Sequence, residues 1–164
     1  MATEAQLKEC ADHLSSVTEI AIDLEHHSVR TYLGLTCLIQ ISTRKRDFII
    51  DTLALRPLLS QYLLACFTDP KTVKVLHGAD MDIQWLQRDC GLYIINMFDT
   101  GQASRCLQLQ SFGLKFLLQS ICNVEVDKKY QLADWRLRPL PAEMLKYARQ
   151  DTHYLLYIYD CLVK

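Results

Sequence analysis

Apolar residues along this chain occur in two patterns, and each pattern predicts a different kind of element. Short runs rich in Ile, Leu and Val predict strands, and five such runs occur, at residues 19–23, 36–42, 46–52, 72–78 and 92–99. Apolar residues three and four positions apart predict helices, and these segments cover residues 5–14, 53–67, 80–89, 100–109 and 111–121. A further long helix is predicted from Pro141 onward, because proline is favoured in the first turn of a helix.

The order of these elements predicts the fold class. The first three strands follow one another through short connections, which favours an antiparallel meander. The fourth and fifth strands alternate with helices, which favours parallel pairing through a right-handed crossover. We therefore expect one α/β domain over residues 1–164, with a mixed five-stranded sheet flanked by helices.

Composition narrows the class of protein further. Half of the residues are hydrophobic, which is enough to bury a core, yet no apolar run reaches the roughly 18 residues that span a bilayer, so no membrane partner is expected. The net charge of -1 argues against a protein that coats DNA by electrostatics alone. The seven cysteines lack the spacing of zinc ligands and predict free thiols in the cytosol or nucleus, with Cys37, Cys66 and Cys106 buried.

Four acidic residues stand in settings that indicate a metal site. Asp23 and Glu25 lie two positions apart at the end of the first predicted strand, so both side chains point to one face of the sheet. Like charges on one face repel each other, and a divalent cation between them removes that repulsion. Asp82 lies in the first turn of the helix after the fourth strand. Asp151 lies on the last helix, four residues after Tyr147 and on the same helical face.

Such a layout suits phosphoryl transfer. Mg²⁺ takes oxygen ligands, and two such ions roughly 4 Å apart can clamp the attacking and leaving oxygens of an in-line displacement. A tyrosine can orient the attacking water by hydrogen bonding. Taken singly, each acid also has a structural interpretation, as a solvated strand end, an exposed helix charge or, for Asp80 or Asp82, a helix N-cap.

Three short motifs carry a resemblance to a known family. The patterns D-L-E at 23–25, H-x4-D at 77–82 and Y-x3-D at 147–151 resemble the three exonuclease motifs of the DEDDy 3′–5′ exonucleases, which include ribonuclease D. The longer segments HGADMDIQWLQRD, YQLADWRLRPLP and YARQDTHYLLYIYD are similar to the catalytic domains of the branch associated with the nuclear exosome. The resemblance covers roughly residues 18–163, nearly the whole chain.

The resemblance implies both a fold and an activity. The fold would be ribonuclease-H-like, and the activity would be stepwise removal of nucleoside 5′-monophosphates from single-stranded RNA 3′ ends, with two Mg²⁺ ions that Mn²⁺ can replace. It implies a role in nuclear RNA processing and decay, in the nucleus or nucleolus, with the nuclear exosome and its associated proteins as partners. It also leads us to expect an excised catalytic core, without the N-terminal partner-binding region and C-terminal helical domain of such proteins.

Residue by residue, the resemblance implies specific roles. The metal ligands would be Asp23, Glu25, Asp82 and Asp151, and Tyr147 would position the nucleophilic water. The matching position falls on Asp82 rather than on Asp80, which is expected to cap the same helix or to lie on the rim.

Three further residues are candidates for substrate binding. His26 would contact the terminal nucleotide, mainly through its backbone, and Trp85 would stack on the terminal base. Lys128 would neutralise the scissile phosphate. The structural alternatives are a core tryptophan at position 85 and a solvated loop lysine at position 128.

Two other functions remain open from the sequence. One keeps the chemistry and changes the substrate, giving a DNA 3′–5′ exonuclease of the Werner or proofreading type. The DWRLRPLP segment favours RNA, by resemblance alone. The other is a non-catalytic nucleic-acid-binding module, which the presence of all four acids and the tyrosine disfavours.

Overall fold

A mixed five-stranded sheet forms the centre of the molecule. The computed structural model describes residues 1–29, 32–126 and 128–164, and of Lys128 it describes the backbone alone. The strand order is β3-β2-β1-β4-β5, with antiparallel pairs β1–β2 and β2–β3 and parallel pairs β1–β4 and β4–β5. The predicted fold class is confirmed: β1, β2 and β3 form the antiparallel meander, and β4 and β5 are parallel. The strands are β1 Glu19–His27, β2 Leu35–Ser42, β3 Asp47–Asp51, β4 Val73–Leu76 and β5 Met97–Asp99.

Helices cover the sheet. They are α1 Glu4–Leu14, α2 Thr52–Thr68, α3 Asp80–Trp85, α4 Thr100–Cys106, α5 Leu114–Cys122, α6 Ala142–His153 and α7 Leu155–Leu162. A π-helical turn, Leu86–Cys90, continues α3, and Gly91 ends it in the left-handed region with φ 63°, which glycine adopts without steric strain. Within the described ranges, every helix is too short or too polar to cross a membrane.

The first strand is longer than predicted. It continues through His27, because residues up to His27 pair with β2, past a β-bulge between Glu25 and His26. Asp23 and Glu25 therefore lie inside the strand and not at its end. Since side chains alternate along a strand, the acid pair shares a face with Ala21, which packs against α5 and α7. Ile22 and Leu24 point the other way, into the core formed with α1 and α2.

Most other elements differ from the prediction by one to three residues at an end, and two differ by more. The strand expected at 92–99 is reduced to β5, because Asn96 takes a left-handed φ of 61° and ends the extended backbone before Met97. The long last helix is two helices, which meet at Tyr154. Of the thiols predicted to be buried, Cys37 is buried, whereas Cys66 is intermediate and Cys106 is exposed.

Candidate active site

Three carboxylates meet on the α5–α6 side of the sheet. Asp23, Glu25 and Asp151 each offer an oxygen atom, and these oxygens lie within 4.8 Å of one another. Asp82 is not one of this set, although it is buried in the first turn of α3 and its charge acts on Asp23. The structure therefore brings three of the four predicted acids into ligand distance and places the fourth nearby.

The three carboxylates are brought together by strand β1 and helix α6. β1 supplies Asp23 and Glu25 by its alternation, and α6 packs across β1, β2 and β3. A buried hydrogen bond of 2.7 Å between the hydroxyls of Ser42 and Thr152 ties α6 to β2. Asp151, beside Thr152, is held against the sheet by this contact.

The four acids are placed where their charge is costly. Burial, followed by the charge of Asp151, raises the pKa of the Glu25 carboxyl to about 9, and the Gln40 hydrogen bond opposes this rise. Burial raises the pKa of Asp151 to about 7, and burial together with the charge of Asp99 raises the pKa of Asp82 to about 7. Burial and the neighbouring acids hold the pKa of Asp23 well above its usual range.

These acids fit a divalent cation by the chemistry of their donors. Within the described ranges, none of them forms an ion pair with a basic side chain. Buried carboxylates without counter-charges are unfavourable unless a cation joins them, and hard cations prefer such oxygen ligands. The Oε1 atom of Gln40 is buried and has no hydrogen-bond partner among the described residues. It is therefore available to accept a hydrogen bond from a water bound to a cation.

A cavity of about 480 Å³ opens over the three carboxylates. The further polar or aromatic residues that border it are His26, His77, Trp85, Lys115, Gln131 and Tyr147. Tyr147 packs its ring against Tyr130 and Trp135, with centroids 5.9 and 6.0 Å away. Six of the eight predicted site residues thus border one cavity; Asp82 does not, and the side chain of Lys128 lies outside what the structure describes.

His26 and Trp85 form a stacked pair at one side of this cavity. Their ring centroids are 3.9 Å apart and the planes differ by 5°. Gly34 makes this possible, since a Cβ there would lie 1.9 Å from His26 Cε1. Burial, then the charge of Arg88, lowers the pKa of His26, which favours the neutral ring. The His26 ring, and not only its backbone, therefore belongs to the wall of the cavity, and Trp85 is only partly buried in the core.

The structure tests the role predicted for Asp80 and shows an unpredicted role for Asp99. Asp80 is exposed, and the N-cap of α3, Ala79, has no side-chain cap. The carboxylate of Asp99 instead accepts from the Gly78 and Ala79 amides at 3.0 and 2.9 Å, besides capping its own helix α4. Of the two alternatives predicted for Asp80, the cap of α3 is wrong, because Asp99 on β5 accepts from the amides of that turn; the exposure of Asp80 fits the other alternative, a position on the rim.

Sequence reasoning missed two residues at the site. Lys115, exposed in the first turn of α5, borders the cavity, and no local pattern shows which end of that helix faces the acids. Gln40 pairs with Asp23 across β1 and β2 and contacts Glu25. The alternation of β2 within the predicted meander could have revealed Gln40, since cross-strand partners share a face.

The proteins similar to this chain include an exosome component and an exoribonuclease. A family model described as 3′–5′ exonuclease matches residues 1–164. Exosome complex component 10 of Homo sapiens is 62% identical over 156 residues, which are 94% of this chain and 17% of the human protein. The catalytic core of RRP6 from Trypanosoma brucei superposes with a TM-score of 0.94 at 52% identity, covering 99% of this chain and 45% of the other.

A more distant structure has the same fold. RNase D from Escherichia coli, described as an exoribonuclease involved in structured RNA processing, superposes with a TM-score of 0.88 at 27% identity. The match covers 99% of this chain and 43% of the bacterial one. This chain therefore spans less than half of either structure and less than a fifth of the human relative.

Proposed function

This chain belongs to the 3′–5′ exonuclease family, and on that premise we propose that it is a metal-dependent exoribonuclease that removes nucleoside 5′-monophosphates from single-stranded RNA 3′ ends. The observation that carries the proposal is the cluster of Asp23, Glu25 and Asp151 oxygens within 4.8 Å of one another. The names of the similar proteins, an exosome component and an exoribonuclease, support RNA as the substrate.

Two divalent cations are the proposed cofactors, Mg²⁺ or in its place Mn²⁺. Asp23, Glu25, Asp82 and Asp151 would hold them, since hard cations are bound by carboxylates together with substrate phosphate. When bound, the ions would supply a strong nucleophile at neutral pH and stabilise the charge of the transferring phosphate. Asp82 is close enough to the cluster for its charge to raise the pKa of Asp23, and we propose that it helps to hold the second ion.

The chain's own side chains would orient the reactants. The Tyr147 hydroxyl would hold the attacking water, and the packing of its ring on Tyr130 and Trp135 would restrict its movement. Hydrolysis transfers the hydroxyl of water to the terminal phosphate and a proton to the 3′ oxygen of the shortened RNA. The product is a nucleoside 5′-monophosphate.

The terminal nucleotide would be held by groups that do not read sequence. The stacked rings of His26 and Trp85 offer an aromatic wall, and stacking tolerates every base. Lys115 at the rim and Lys128 in the loop before α6 would neutralise phosphates. Because the terminal nucleotide must enter between these elements, an unpaired end is required.

The proposed setting is nuclear RNA processing and decay. It includes association with the nuclear exosome and its associated proteins, in the nucleus and the nucleolus. The names of similar proteins support the exosome as the partner. The free cysteines are consistent with a reducing compartment.

The decisive experiment compares RNA with DNA. The chain is incubated with 5′-labelled single-stranded RNA and DNA of identical sequence, in Mg²⁺, Mn²⁺ or EDTA. We expect a ladder that shortens from the 3′ end in either metal, faster on RNA, with no shortening in EDTA. A hairpin with a blunt end should be degraded more slowly than the same hairpin with an unpaired 3′ tail.

Each other outcome contradicts a defined part of the proposal. Faster shortening of DNA would assign the chain to the DNA exonucleases. Binding of RNA without metal-dependent degradation would indicate a binding module. Equal rates on the two hairpins would remove the requirement for an unpaired end.

A further inference from the structure

Gln40 lies beside the carboxylate cluster without being one of its acids. It sits on β2, where the strand register pairs it with Asp23, and it is fully buried. Its Nε2 donates a hydrogen bond of 3.1 Å to Glu25 Oε1, between two buried side chains. Its Oε1 accepts no hydrogen bond from the described residues. The NH₂ group of this buried amide therefore has a partner, whereas its oxygen has none. This indicates that the hydrogen bond to Glu25 is the contact that matters at this position.

The direction of this bond follows from the acceptor. A Glu25 carboxylate that binds a cation is ionised and only accepts hydrogen bonds, so in that state the NH₂ group of Gln40 must face it, as it does in the structure. The reversed amide would bring two acceptor oxygens together. One hydrogen bond uses only part of the accepting capacity of the carboxylate, so Glu25 can still bind a cation.

A neutral donor suits this place better than a basic residue would. A lysine or arginine within hydrogen-bond distance of Glu25 would neutralise its charge and compete with a cation for it. An amide fixes the orientation of the carboxylate and leaves its charge unchanged. Partners that orient metal ligands in this way commonly determine metal affinity.

We propose that Gln40 is a positioning residue that orients the Glu25 carboxylate for a divalent cation. This inference rests on the proposed function, because it assumes a metal site at the acid cluster. A residue that served only to fill space would affect folding stability and leave metal affinity unchanged.

The test measures Mn²⁺ affinity directly. The variant Gln40→Met removes the amide and keeps the length and volume of the side chain, so the fold should tolerate it. Free Mn²⁺ is followed by its electron paramagnetic resonance signal during titration of the whole chain. We expect the dissociation constant of the variant to rise by about 10- to 100-fold, the range found for residues that orient metal ligands. The rate of RNA shortening should recover at saturating Mn²⁺.

Two control variants separate positioning from packing. Ile39→Val alters the neighbouring residue, which is fully buried on the opposite face of β2, and should lower the melting temperature without changing Mn²⁺ affinity. Gln61→Met makes the same chemical change at an exposed site on α2 and should change neither. Gln40→Asn, whose amide is too short to reach Glu25, should weaken Mn²⁺ binding as Gln40→Met does, and it serves if the methionine variant does not fold.

The outcomes distinguish this inference from its premise. If the unmodified chain binds Mn²⁺ and shortens RNA while Gln40→Met or Gln40→Asn binds Mn²⁺ equally well, the positioning role is wrong and the proposed function stands. If the unmodified chain neither binds Mn²⁺ nor shortens RNA, the proposed function itself is wrong.

Discussion

Two of the cavities that the described residues form differ in how the charges of their side chains are balanced. The cavity over the acid cluster measures about 480 Å³. The other measures about 610 Å³, and most of its charged side chains are paired: Arg44 contacts Glu19 and Asp160, each at 2.6 Å, and Asp47 contacts Arg149 at 2.6 Å. Helix α6 contributes a side chain to each cavity: Asp151 borders the first and Arg149 borders the second.

The two cavities shift pKa values in opposite directions. Burial alone would raise the pKa of Asp47 in the larger cavity, but hydrogen bonds from Ser42, Arg149 and His153 lower it. At the acid cluster, burial raises the pKa of Asp151 to about 7. Charge left without a partner is therefore a better guide to a functional site than cavity volume.

The strongest test of the difference between the two cavities is the same substitution in each. We expect Asp23→Asn to slow metal-dependent RNA shortening by more than about 100-fold, since a direct ligand should matter more than a residue that orients one. Without metal, the variant should be as stable as the unmodified chain or slightly more stable, because a repulsion is removed. Initial rates on labelled RNA and urea unfolding in EDTA measure the two effects.

Asp47→Asn is the matched control. It should reduce the free energy of unfolding by about 1–3 kcal/mol, the range for hydrogen bonds to charged groups, because Asp47 accepts from Ser42, Arg149 and His153. Its RNA-shortening rate should be unchanged. Full activity of Asp23→Asn, or loss of activity in Asp47→Asn, would reverse the assignment of the two cavities.

A second prediction uses pH. Glu25, with its pKa raised to about 9 from 4.5, and Asp82 and Asp151, raised to about 7 from 3.8, bind protons more tightly in the folded than in the unfolded chain. Such groups stabilise the fold at low pH and lose that contribution as pH rises through the folded pKa. In EDTA, the free energy of unfolding should therefore fall between about pH 4 and about pH 9.

The balanced cavity should respond in another pH range. Asp47 and Asp160 have lowered pKa values, so their contribution is present at neutral pH and is lost below about pH 4. Saturating Mg²⁺ should flatten the decline above that pH, because it binds the ionised carboxylates. Urea unfolding across this range, with EDTA or Mg²⁺, tests both; a decline unaffected by Mg²⁺ would contradict the metal assignment.

The smallest expected effect is at an exposed ion pair. Arg44→Gln should reduce the free energy of unfolding by at most about 1 kcal/mol, since Arg44 is 43% exposed and such pairs contribute little. The rate of RNA shortening should not change. The difference in stability should shrink in about 1 M NaCl, where surface charges are screened, and a large loss of activity would show that the larger cavity takes part in the reaction.

Local patterns predicted the elements better than their ends. The meander and the parallel strands were found because each run of apolar residues lies in one element. The bulge after Glu25 and the left-handed Asn96 have no signal in hydrophobic spacing, so the length of β1 and the start of β5 were wrong. The break at Tyr154 was missed because the apolar stripe continues across it.

Local periodicity in the sequence was enough to predict the fold class, the shared face of Asp23 and Glu25, and the spacing of Tyr147 and Asp151 on one helix. Packing between elements was needed to learn which acids meet, which residue caps α3, and that Gln40 and Lys115 reach the site. These depend on register and packing between elements distant in sequence. Burial and charge pairing, which separate the two cavities, exist only once those elements have come together.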